Sequence, residues 1–596
     1  MKAALEALHF GSTSSFNFGA RPRDFGYWPR TTEEVQHWFS VSLKLVETLA
    51  CGDEPVGPQA RAALAEKFRG LWLRGGVPDE IANVCRVIRK IRFWPEGWLA
   101  VRQALDLDAK GLDEERRAKL VALEAELRPA DLAQKVRAVV FSTRLQGVDL
   151  DDFEDHTSED ITTRMARTEA LAQDLGKAVA TEETLLAELL PEIVTNDGRL
   201  WSFGQGLLAG ASDAEEMWNR LVATLAGTQE RARKPQVLGG FLHQLRVSNP
   251  ALATKLLDSA VEHETLAGLY PILQVSVNLE EQDVARLKRS VALGKAPAAM
   301  YQYLAYGRAT DPIPAPDFQE LVLAIAAMQS GYDVAIEILD MRLHSDKDRQ
   351  EGIAPELVDA GCDLMRQFTF AKNNVQAYRE DYRLGDITKS CLKGEKGAAV
   401  TMEICHKLKC AVAKYDTSTI YHDDLLVGIF GAQPTAALDG LCGGDQKELE
   451  QGISILQDVD ARKHPLTVVS DEDLLNWCDK EPQTRYPAIA QVIAISQRQQ
   501  DNMPPQWTSI ALRFLEKAPA PDAVLHQFVS QFEPSGGWSG SLAAVLESKV
   551  ALLDQLAAYP DLSAAVAQQK ERLRKSIEEQ HRRETAWDRQ RDERFE

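Results

Sequence analysis

This sequence has no long hydrophobic run and few cysteines, and both features bear on the cellular compartment of the protein. No window approaches the run of about 18 apolar residues that a membrane-spanning helix needs. The first residues lack the apolar core of a signal peptide. The eight cysteines are scattered over 596 residues, at positions 51, 85, 362, 391, 405, 410, 442 and 478. That scatter suits reduced thiols better than a disulfide framework, so we predict a cytoplasmic protein without membrane helices.

Basic residues are in the minority. Lys and Arg number 68 against 89 Asp and Glu, which gives a net charge of −21 and an isoelectric point near 5.1. A protein that coats nucleic acid needs a broad basic surface, because phosphate neutralisation supplies most of its affinity. The composition therefore disfavours nucleic acid as a general partner. A net charge of this size is typical of a large protein, in which the charge helps to keep the protein in solution.

One local run is nevertheless basic. Arg86, Arg89, Lys90 and Arg92 follow one another at the outward positions of a predicted helix, and aromatic residues flank them at 68, 72, 93, 94 and 98. Aromatics interleaved with cations can bind single-stranded nucleic acid. Alternatively, the aromatics belong to the core and the cations to a solvated face. The four basic residues are our candidates for partner binding.

No nucleotide-binding motif is complete, so we predict no cofactor. Gly204-Gln205-Gly206 with Gly210 has the spacing G-x-G-x-x-x-G, and no parallel-sheet strand precedes it as a dinucleotide site requires. Gly294-Lys295 is followed by Ala296 and lacks the first glycine of a phosphate-binding loop.

Two further motifs resemble catalytic sequences but fail in detail. The stretch 537–541, GWSGS, begins like a nucleophile elbow, but its fifth residue is Ser541 and no strand–elbow–helix pattern surrounds it. Ser539 or Ser541 is better explained as a helix cap. His263-Glu264 begins a zinc-binding H-E-x-x-H motif, but position 267 is Ala267.

Two constellations would be the places to search if the protein were an enzyme. The first holds the soft ligands Cys391, Cys405, His406 and Cys410, whose simpler interpretation is structural thiols inside helices. The second is 421–424, YHDD, in which a histidine precedes two carboxylates at a helix start. Adjacent residues on a helix point apart, so a capping aspartate and a surface histidine are the simpler interpretation. We predict no catalytic residue and no metal site.

Helical patterns recur through the whole chain with short Pro- or Gly-containing breaks. The clearest unit is 306–345, where a Pro-rich connector leads to an apolar helix, a Ser-Gly break and a second amphipathic helix. No strict 33- or 34-residue consensus is visible, which excludes a regular ankyrin or tetratricopeptide array. We predict an all-α protein, an irregular α-solenoid of stacked antiparallel helix pairs of the TPR/HEAT-like kind. Pro312, Pro314 and Pro316 favour a stiff elbow at 306–345, with Arg308 and Asp311 as a structural pair or cap.

The breaks also predict a division of the chain. A helical region with an aromatic and basic start spans 1–148, an acidic linker spans 149–160, and helical-repeat arrays span 161–305 and 306–500. C-terminal helical units occupy 501–569, and a charged helical tail occupies 570–596.

Several peptides together resemble one known family. They include KFRGLW, FWPEGW, AYGRATDPIP, VAIEILDMRLHSD, EDYRLGDI, HDDLL, QPTAALD, DEDLLNWCD, RYPAIAQVI, WSGSLAAVLESKVALLDQL and RRETAWDRQRDERFE. From about residue 60 to the end, the chain is similar to the C-terminal helical-repeat sensor region of bacterial antiviral STAND-type NTPase defence proteins. In that family an effector and a nucleotide-binding module precede the sensor, and this sequence shows neither.

The resemblance implies a non-catalytic recognition module that binds a folded, viral protein and relays the event to an NTPase or effector. Three alternatives stay open from the residues alone. The chain could be a scaffold subunit of another cytoplasmic multiprotein complex with host partners. It could be an enzyme with a site at 421–424 or 391–410, or it could bind nucleic acid through Arg86, Arg89, Lys90 and Arg92.

Overall fold

The computed structural model describes residues 31–53, 55–73, 76–108, 111–143, 150, 160–346, 352–370, 375–497, 505–533 and 540–595. These residues are helical, apart from connecting turns and one antiparallel ladder of two-residue strands. The helices stack as antiparallel pairs, which confirms the predicted all-α irregular solenoid. The chain forms two compact units, one ending at Asn278 and the other beginning at Leu279.

The first unit contains helices α1 to α13. They are α1 (Thr32–Ala50), α2 (Val56–Leu73), α3 (Pro78–Ile91), α4 (Pro95–Asp108), α5 (Glu114–Leu127), α6 (Leu132–Val139), α7 (Ile161–Ala180), α8 (Glu183–Ile193), α9 (Leu200–Gly210), α10 (Ala214–Gly227), α11 (Gln236–Ser248), α12 (Pro250–Ala260) and α13 (Tyr270–Val275). Their starts follow local rules. Thr31 and Glu34 form a capping box at α1, Asp213 accepts from two backbone amides at α10, and Pro78 and Pro250 open their helices.

Glycines let alternate helices of the first unit approach closely. A Cβ on Gly206 of α9 would lie 1.9 Å from the carbonyl oxygen of Gln173 on α7, and a Cβ on Gly240 of α11 would lie 1.9 Å from that of Trp201 on α9. Gly204 and Gly210 meet backbone oxygens of neighbouring helices in the same way. The glycines that resembled a dinucleotide loop are therefore helix-packing positions.

Side-chain hydrogen bonds reveal the repeat length of the first unit. Several such bonds join residues 37 to 40 positions apart, among them Arg220 with Glu183, Arg69 with Asp108, Arg86 with Glu126, and Lys255 with Glu215. Each bond connects equivalent positions of neighbouring helix pairs, so one pair occupies about 40 residues. That length exceeds the 34 residues of a tetratricopeptide unit and is close to that of HEAT repeats.

The second unit contains helices α14 to α28 and the two strands. They are α14 (Glu281–Leu293), α15 (Ala315–Ala326), α16 (Tyr332–Asp346), α17 (Pro355–Gln367), α18 (Val375–Cys391), α19 (Gly394–Ala413), α20 (Asp423–Ala432), α21 (Pro434–Cys442), α22 (Gln446–Gln457), α23 (Asp471–Cys478), α24 (Pro482–Ile489), β1 (Ser496–Gln497), β2 (Gln506–Trp507), α25 (Ser509–Lys517), α26 (Pro521–Ser530), α27 (Leu542–Gln555) and α28 (Ser563–Phe595). In the ladder, Ser496 pairs with Trp507 and Gln497 with Gln506.

One row of helices shows the repeat of the second unit directly. Helices α15, α17, α19, α21, α23 and α25 begin at residues 315, 355, 394, 434, 471 and 509, again in steps of about 40. Side-chain bonds cross the same interval, 37 residues from Lys396 to Asp359 and 38 residues from Trp477 to Asp439. The core lies inside these pairs, where Phe318, Phe430 and Trp477 are almost fully buried.

The stretch 306–345 has the element order that its sequence predicts. A turn-rich connector precedes α15, a break with Ser330 at a positive φ of 58° follows, and α16 comes next. Arg308 Nε lies 3.2 Å from Asp311 Oδ2, so the structural pair is confirmed. The division into compact units falls after Asn278 rather than at 305, and an elbow at 306–345 stays a prediction.

Other predictions lie wholly or partly outside the described residues. These are the aromatic start before residue 31, most of the acidic linker at 149–160, and 537–539 of the serine motif. Within the described part, Ser541 accepts from the backbone nitrogen of Ala544, so its predicted capping role is confirmed. The charged tail belongs to α28, a 33-residue helix with i,i+4 ion pairs such as Arg583 with Glu579.

Candidate functional site

Two of the candidate basic residues form ion pairs within the chain. Arg86 on α3 donates from Nε to Glu126 Oε2 at 2.6 Å and from a terminal nitrogen to Oε1 at 3.2 Å. Arg92, which follows α3, donates to Asp53 Oδ1 at 2.7 Å. A polyanion that bound here would have to displace these carboxylates.

The other two basic residues differ in their surroundings. Arg89 donates to Gln134 Oε1 at 3.0 Å, and its guanidinium lies 5.2 Å from the ring centre of Phe93. Lys90 is exposed. Phe68, Trp72, Trp94 and Trp98 are buried, so four of the five flanking aromatics belong to the core and are not available to stack on a ligand. Partner binding by the four basic residues stays a prediction.

The members of the cysteine and histidine constellation have different neighbours. Buried Cys391 contacts the carbonyl of Leu357, whereas buried Cys405 contacts that of Ala437. Burial raises the pKa of each thiol to about 12. Exposed Cys410 lies 3.9 Å from His406 Nδ1. Among the described residues, no group of three or more His, Cys, Asp or Glu side chains is arranged to hold a metal ion.

The histidine at 421–424 is buried, not a surface residue, which corrects the simpler interpretation of that motif. His422 is 1% exposed, and Phe370 packs edge-on against its ring at 4.9 Å. Its Nε2 lies 2.9 Å from Thr417 Oγ1, and its Nδ1 lies 3.6 Å from Asp381 Oδ1. The hydroxyl, imidazole and carboxylate follow one another as in a hydrolase triad. However, the imidazole of His422 is buried away from solvent, and Asp381 has a structural role.

The structural role of Asp381 is to cap the start of α20. Asp381 Oδ2, on α18, accepts from the backbone nitrogens of Asp424 at 2.7 Å and Leu425 at 3.4 Å. The predicted capping carboxylate is therefore not Asp423 or Asp424 but one from the preceding helix pair. Asp424 instead pairs with Lys463 at 2.7 Å. Burial raises the pKa of Asp423. Only the tertiary structure brings Asp381 to this position.

A second cluster in the same unit has an exposed edge. It consists of Gln302, Tyr306, Glu337, Asp340, Tyr382 and Arg383, and we call it the tyrosine–arginine cluster. Its residues come from three alternate elements along the chain: the 3-10 turn Ala298–Ala305 with the residue after it, helix α16, and helix α18. Glu337 and Asp340 are buried, whereas Tyr306 is 51% exposed and Tyr382 is 50% exposed.

Glu337 is the centre of the cluster. Its Oε1 accepts from the hydroxyl of Tyr306 at 3.0 Å and from a terminal nitrogen of Arg383 at 2.5 Å, while its Oε2 accepts from Gln302 at 2.8 Å. Arg383 Nε donates to the hydroxyl of Tyr382 at 2.9 Å. The hydrogen bond to Glu337 raises the pKa of Tyr306. Both hydroxyls are therefore engaged within the cluster, while about half of each tyrosine is exposed to solvent.

Sequence reasoning did not single out this cluster, although five of its six residues lie in peptides named in the sequence analysis. Tyr306 lies in AYGRATDPIP, Glu337 and Asp340 in VAIEILDMRLHSD, and Tyr382 and Arg383 in EDYRLGDI. These are three of the peptides that carry the family resemblance. No spacing rule connects them, because they are one repeat apart and meet only when the helix pairs stack.

Comparison with known proteins adds little to the geometry. The chain matches no protein-family model and no curated protein. Among solved structures it is similar to a "circular tandem repeat protein with novel repeat topology and enhanced subunit contact surfaces", at 14% identity over 93% of this chain and all of that one. The TM-score is 0.17, which is too low to bear on fold or function. No described helix combines the length and the apolar character needed to cross a bilayer.

Proposed function

We propose that this chain is a non-catalytic recognition module of a cytoplasmic bacterial antiphage defence system. It binds a folded viral protein through its helical-repeat surface and relays that event to an effector. The observation that carries the proposal is the convergence of three resemblance peptides. Tyr306, Glu337 and Arg383 come from separate repeats, and one hydrogen-bonded cluster with exposed tyrosine rings joins them.

The chemistry of the tyrosine–arginine cluster suits protein binding. Tyrosine and arginine are enriched where protein interfaces bind most strongly, because a tyrosine offers a large apolar face and loses little entropy on binding. Hydrogen bonds to Glu337 and Arg383 already restrict both rings, so a partner would meet a preorganised surface. In a helical-repeat protein, equivalent side chains of successive repeats line up along one surface. A contact with a partner can therefore extend along the protein, and it needs no catalytic residues.

The test is a comparison of affinity purifications from phage-infected and uninfected bacteria. The bait is the full chain, either unchanged or with Tyr306→Ala and Tyr382→Ala together. We expect a phage protein to be enriched from infected cells and to fall at least tenfold with the double variant, as the loss of a binding hot spot of about 2 kcal/mol predicts. The matched control is Tyr415→Ala, since Tyr415 is 87% exposed and lies outside the cluster.

Two outcomes would overturn the proposal. One is the absence of any phage protein enriched over an unrelated helical-repeat bait. The other is a stoichiometric host protein that binds equally in uninfected cells, which would favour the scaffold alternative. Equal thermal unfolding of the unchanged and substituted baits is needed for the comparison, because Tyr306 also contributes a hydrogen bond to the fold.

A further inference from the structure

A second feature of the same unit is a groove lined by glutamines. Helices α22, α24 and α26 and the turn after α24 line an open surface cavity of about 360 Å³. Five of its eleven lining residues carry carboxamides, at Gln446, Gln457, Gln483, Gln491 and Gln527. We call this cavity the glutamine groove. A quarter of the chain is charged, yet among the described residues that line the groove Glu450 is the single ionisable one.

The floor of the groove is apolar and its walls are amides. Leu449, Ile453 and Ala488 are buried beneath it, while the carboxamides surround them. Gln446 Nε2 donates to Glu450 Oε1 at 2.9 Å, which partly satisfies that carboxylate. Gln457 Nε2 lies 3.4 Å from Gln491 Oε1. This contact is long, so it uses little of the hydrogen-bonding capacity of either carboxamide. A carboxamide has two donors and an acceptor with two lone pairs, so hydrogen-bonding capacity remains.

A helix irregularity lies at the same place. Pro487 lies inside α24 and lines the groove together with Gln483, four residues earlier. Proline has no N–H, so the helical hydrogen bond to the Gln483 carbonyl is absent from this turn. The groove therefore lies beside a turn of α24 that lacks one helical hydrogen bond.

We propose that the glutamine groove binds a short, extended and uncharged peptide segment of the protein partner, mainly through the segment's main chain. A peptide group has one donor and one acceptor, which a carboxamide can satisfy together. Alternate side chains of an extended segment would reach the apolar floor. The inference rests on the proposed function, since it assumes a protein partner, and it adds a binding site apart from the tyrosine–arginine cluster.

Other ligand classes fit the lining less well. A phosphate or nucleic acid needs cations, and no Lys or Arg lines the groove in the part of the chain that the structure describes. A purely apolar ligand would cover carboxamides without satisfying them, which is costly. The size suits a short segment, because 360 Å³ is at the lower end for ligand sites. Helix α22 has 12 residues and so measures about 18 Å, the span of about five extended residues.

The experiment uses the full chain and a library of hexapeptides that are acetylated, amidated and free of ionisable side chains. The protein selects peptides from the library, and fluorescence anisotropy gives the dissociation constant of the most enriched one. We expect Gln457→Ala with Gln491→Ala to weaken binding at least tenfold. Methylation of alternate peptide nitrogens in the ligand, which removes main-chain donors and keeps the sequence, should weaken it by a similar factor.

Matched controls separate this inference from the proposed function. Gln329→Ala removes an exposed glutamine elsewhere in the second unit and should leave peptide binding unchanged. Tyr306→Ala with Tyr382→Ala should also leave it unchanged, because those rings lie outside the groove lining. The inference is overturned if no peptide is enriched over a column without protein. It is equally overturned if the enriched peptide tolerates both the glutamine substitutions and N-methylation.

Discussion

The carboxylate of Asp381 lies 2.7 Å from the backbone nitrogen of Asp424, which is 43 residues later in the chain. One helix pair thereby caps the first turn of a helix in the next, and the same carboxylate faces buried His422. Loss of a helix cap costs about 1 kcal/mol and an unsatisfied buried group costs a further 1–3 kcal/mol. We therefore expect Asp381→Ala to destabilise the second unit by roughly 2–4 kcal/mol.

Hydrogen exchange at the first amides of α20, followed with thermal unfolding, would check this prediction. Faster exchange at Asp424 and Leu425 is expected in Asp381→Ala, and a smaller effect in Asp381→Asn, which keeps an acceptor oxygen. Asp174→Ala is the control, because Asp174 is exposed on α7 in the other unit. Unchanged exchange in Asp381→Ala would show that the carboxylate does not act as the cap.

The ion pair between Glu337 and Arg383 should contribute more to stability than a surface pair. Its side chains are 7% and 19% exposed, whereas those of Lys396 and Asp359 are 40% and 48% exposed. Double-mutant cycles should give a coupling of about 1–3 kcal/mol for the buried pair and less than about 1 kcal/mol for the exposed one. Denaturant unfolding of Glu337→Gln, Arg383→Gln and both together measures the first value. Equal couplings for the two pairs would contradict the central role of Glu337.

Glycine at position 206 is required by packing rather than by ligand chemistry. Gly206→Ala would place a methyl group 1.9 Å from the Gln173 carbonyl oxygen, so α7 and α9 would have to separate. We expect a loss of about 1–3 kcal/mol, as for other overpacked interiors. Gly227→Ala is the control, since a Cβ there meets nothing within 4 Å and alanine favours a helix. Urea denaturation should therefore show opposite signs for the two substitutions.

The cysteines predict a thiol-labelling pattern. Cys410 is exposed and Cys51 is partly buried, whereas the other six are buried. Burial raises the pKa of Cys85, Cys391, Cys405 and Cys442 to about 12, which keeps these thiols protonated as well as covered. A disulfide reagent at pH 8 should therefore modify Cys410 quickly, Cys51 slowly and all eight thiols after unfolding. Loss of the fast phase in Cys410→Ser would identify it, and rapid modification of Cys391 would contradict the buried assignment.

His464 should make stability depend on pH. Burial lowers the pKa of His464, whose Nε2 lies 3.1 Å from the Leu456 carbonyl oxygen. The unfolded chain then binds a proton near pH 6.5 while the folded protein does not, so stability is complete above that pH and falls as the pH drops towards the folded pKa. His464→Asn should flatten this slope in urea denaturations between pH 7.5 and 5. Exposed His37→Asn should leave it unchanged, and an unaltered slope in His464→Asn would exclude the ring as its source.

Local sequence was enough for the helices and their class. Caps such as Thr31 with Glu34, prolines at helix starts and apolar periodicity act within a few residues of one another, so a linear pattern records them. The same reasoning gave the order of elements at 306–345, the Arg308–Asp311 pair and the long charged helix near the C-terminus. It also argued against the glycine motifs as phosphate-binding sites, because their spacing and neighbouring elements differ from those that phosphate binding needs.

Only the tertiary structure decided which side chains meet across repeats. Asp381 with His422, Glu337 with Arg383 and the glutamines of α22, α24 and α26 lie about one repeat or more apart in the chain. The repeat of about 40 residues is set by helix lengths and turns that vary from one pair to the next, so no fixed spacing marks these partners in the sequence. The surfaces proposed here for binding arise from that stacking, since neighbouring helices place unrelated sequence positions side by side.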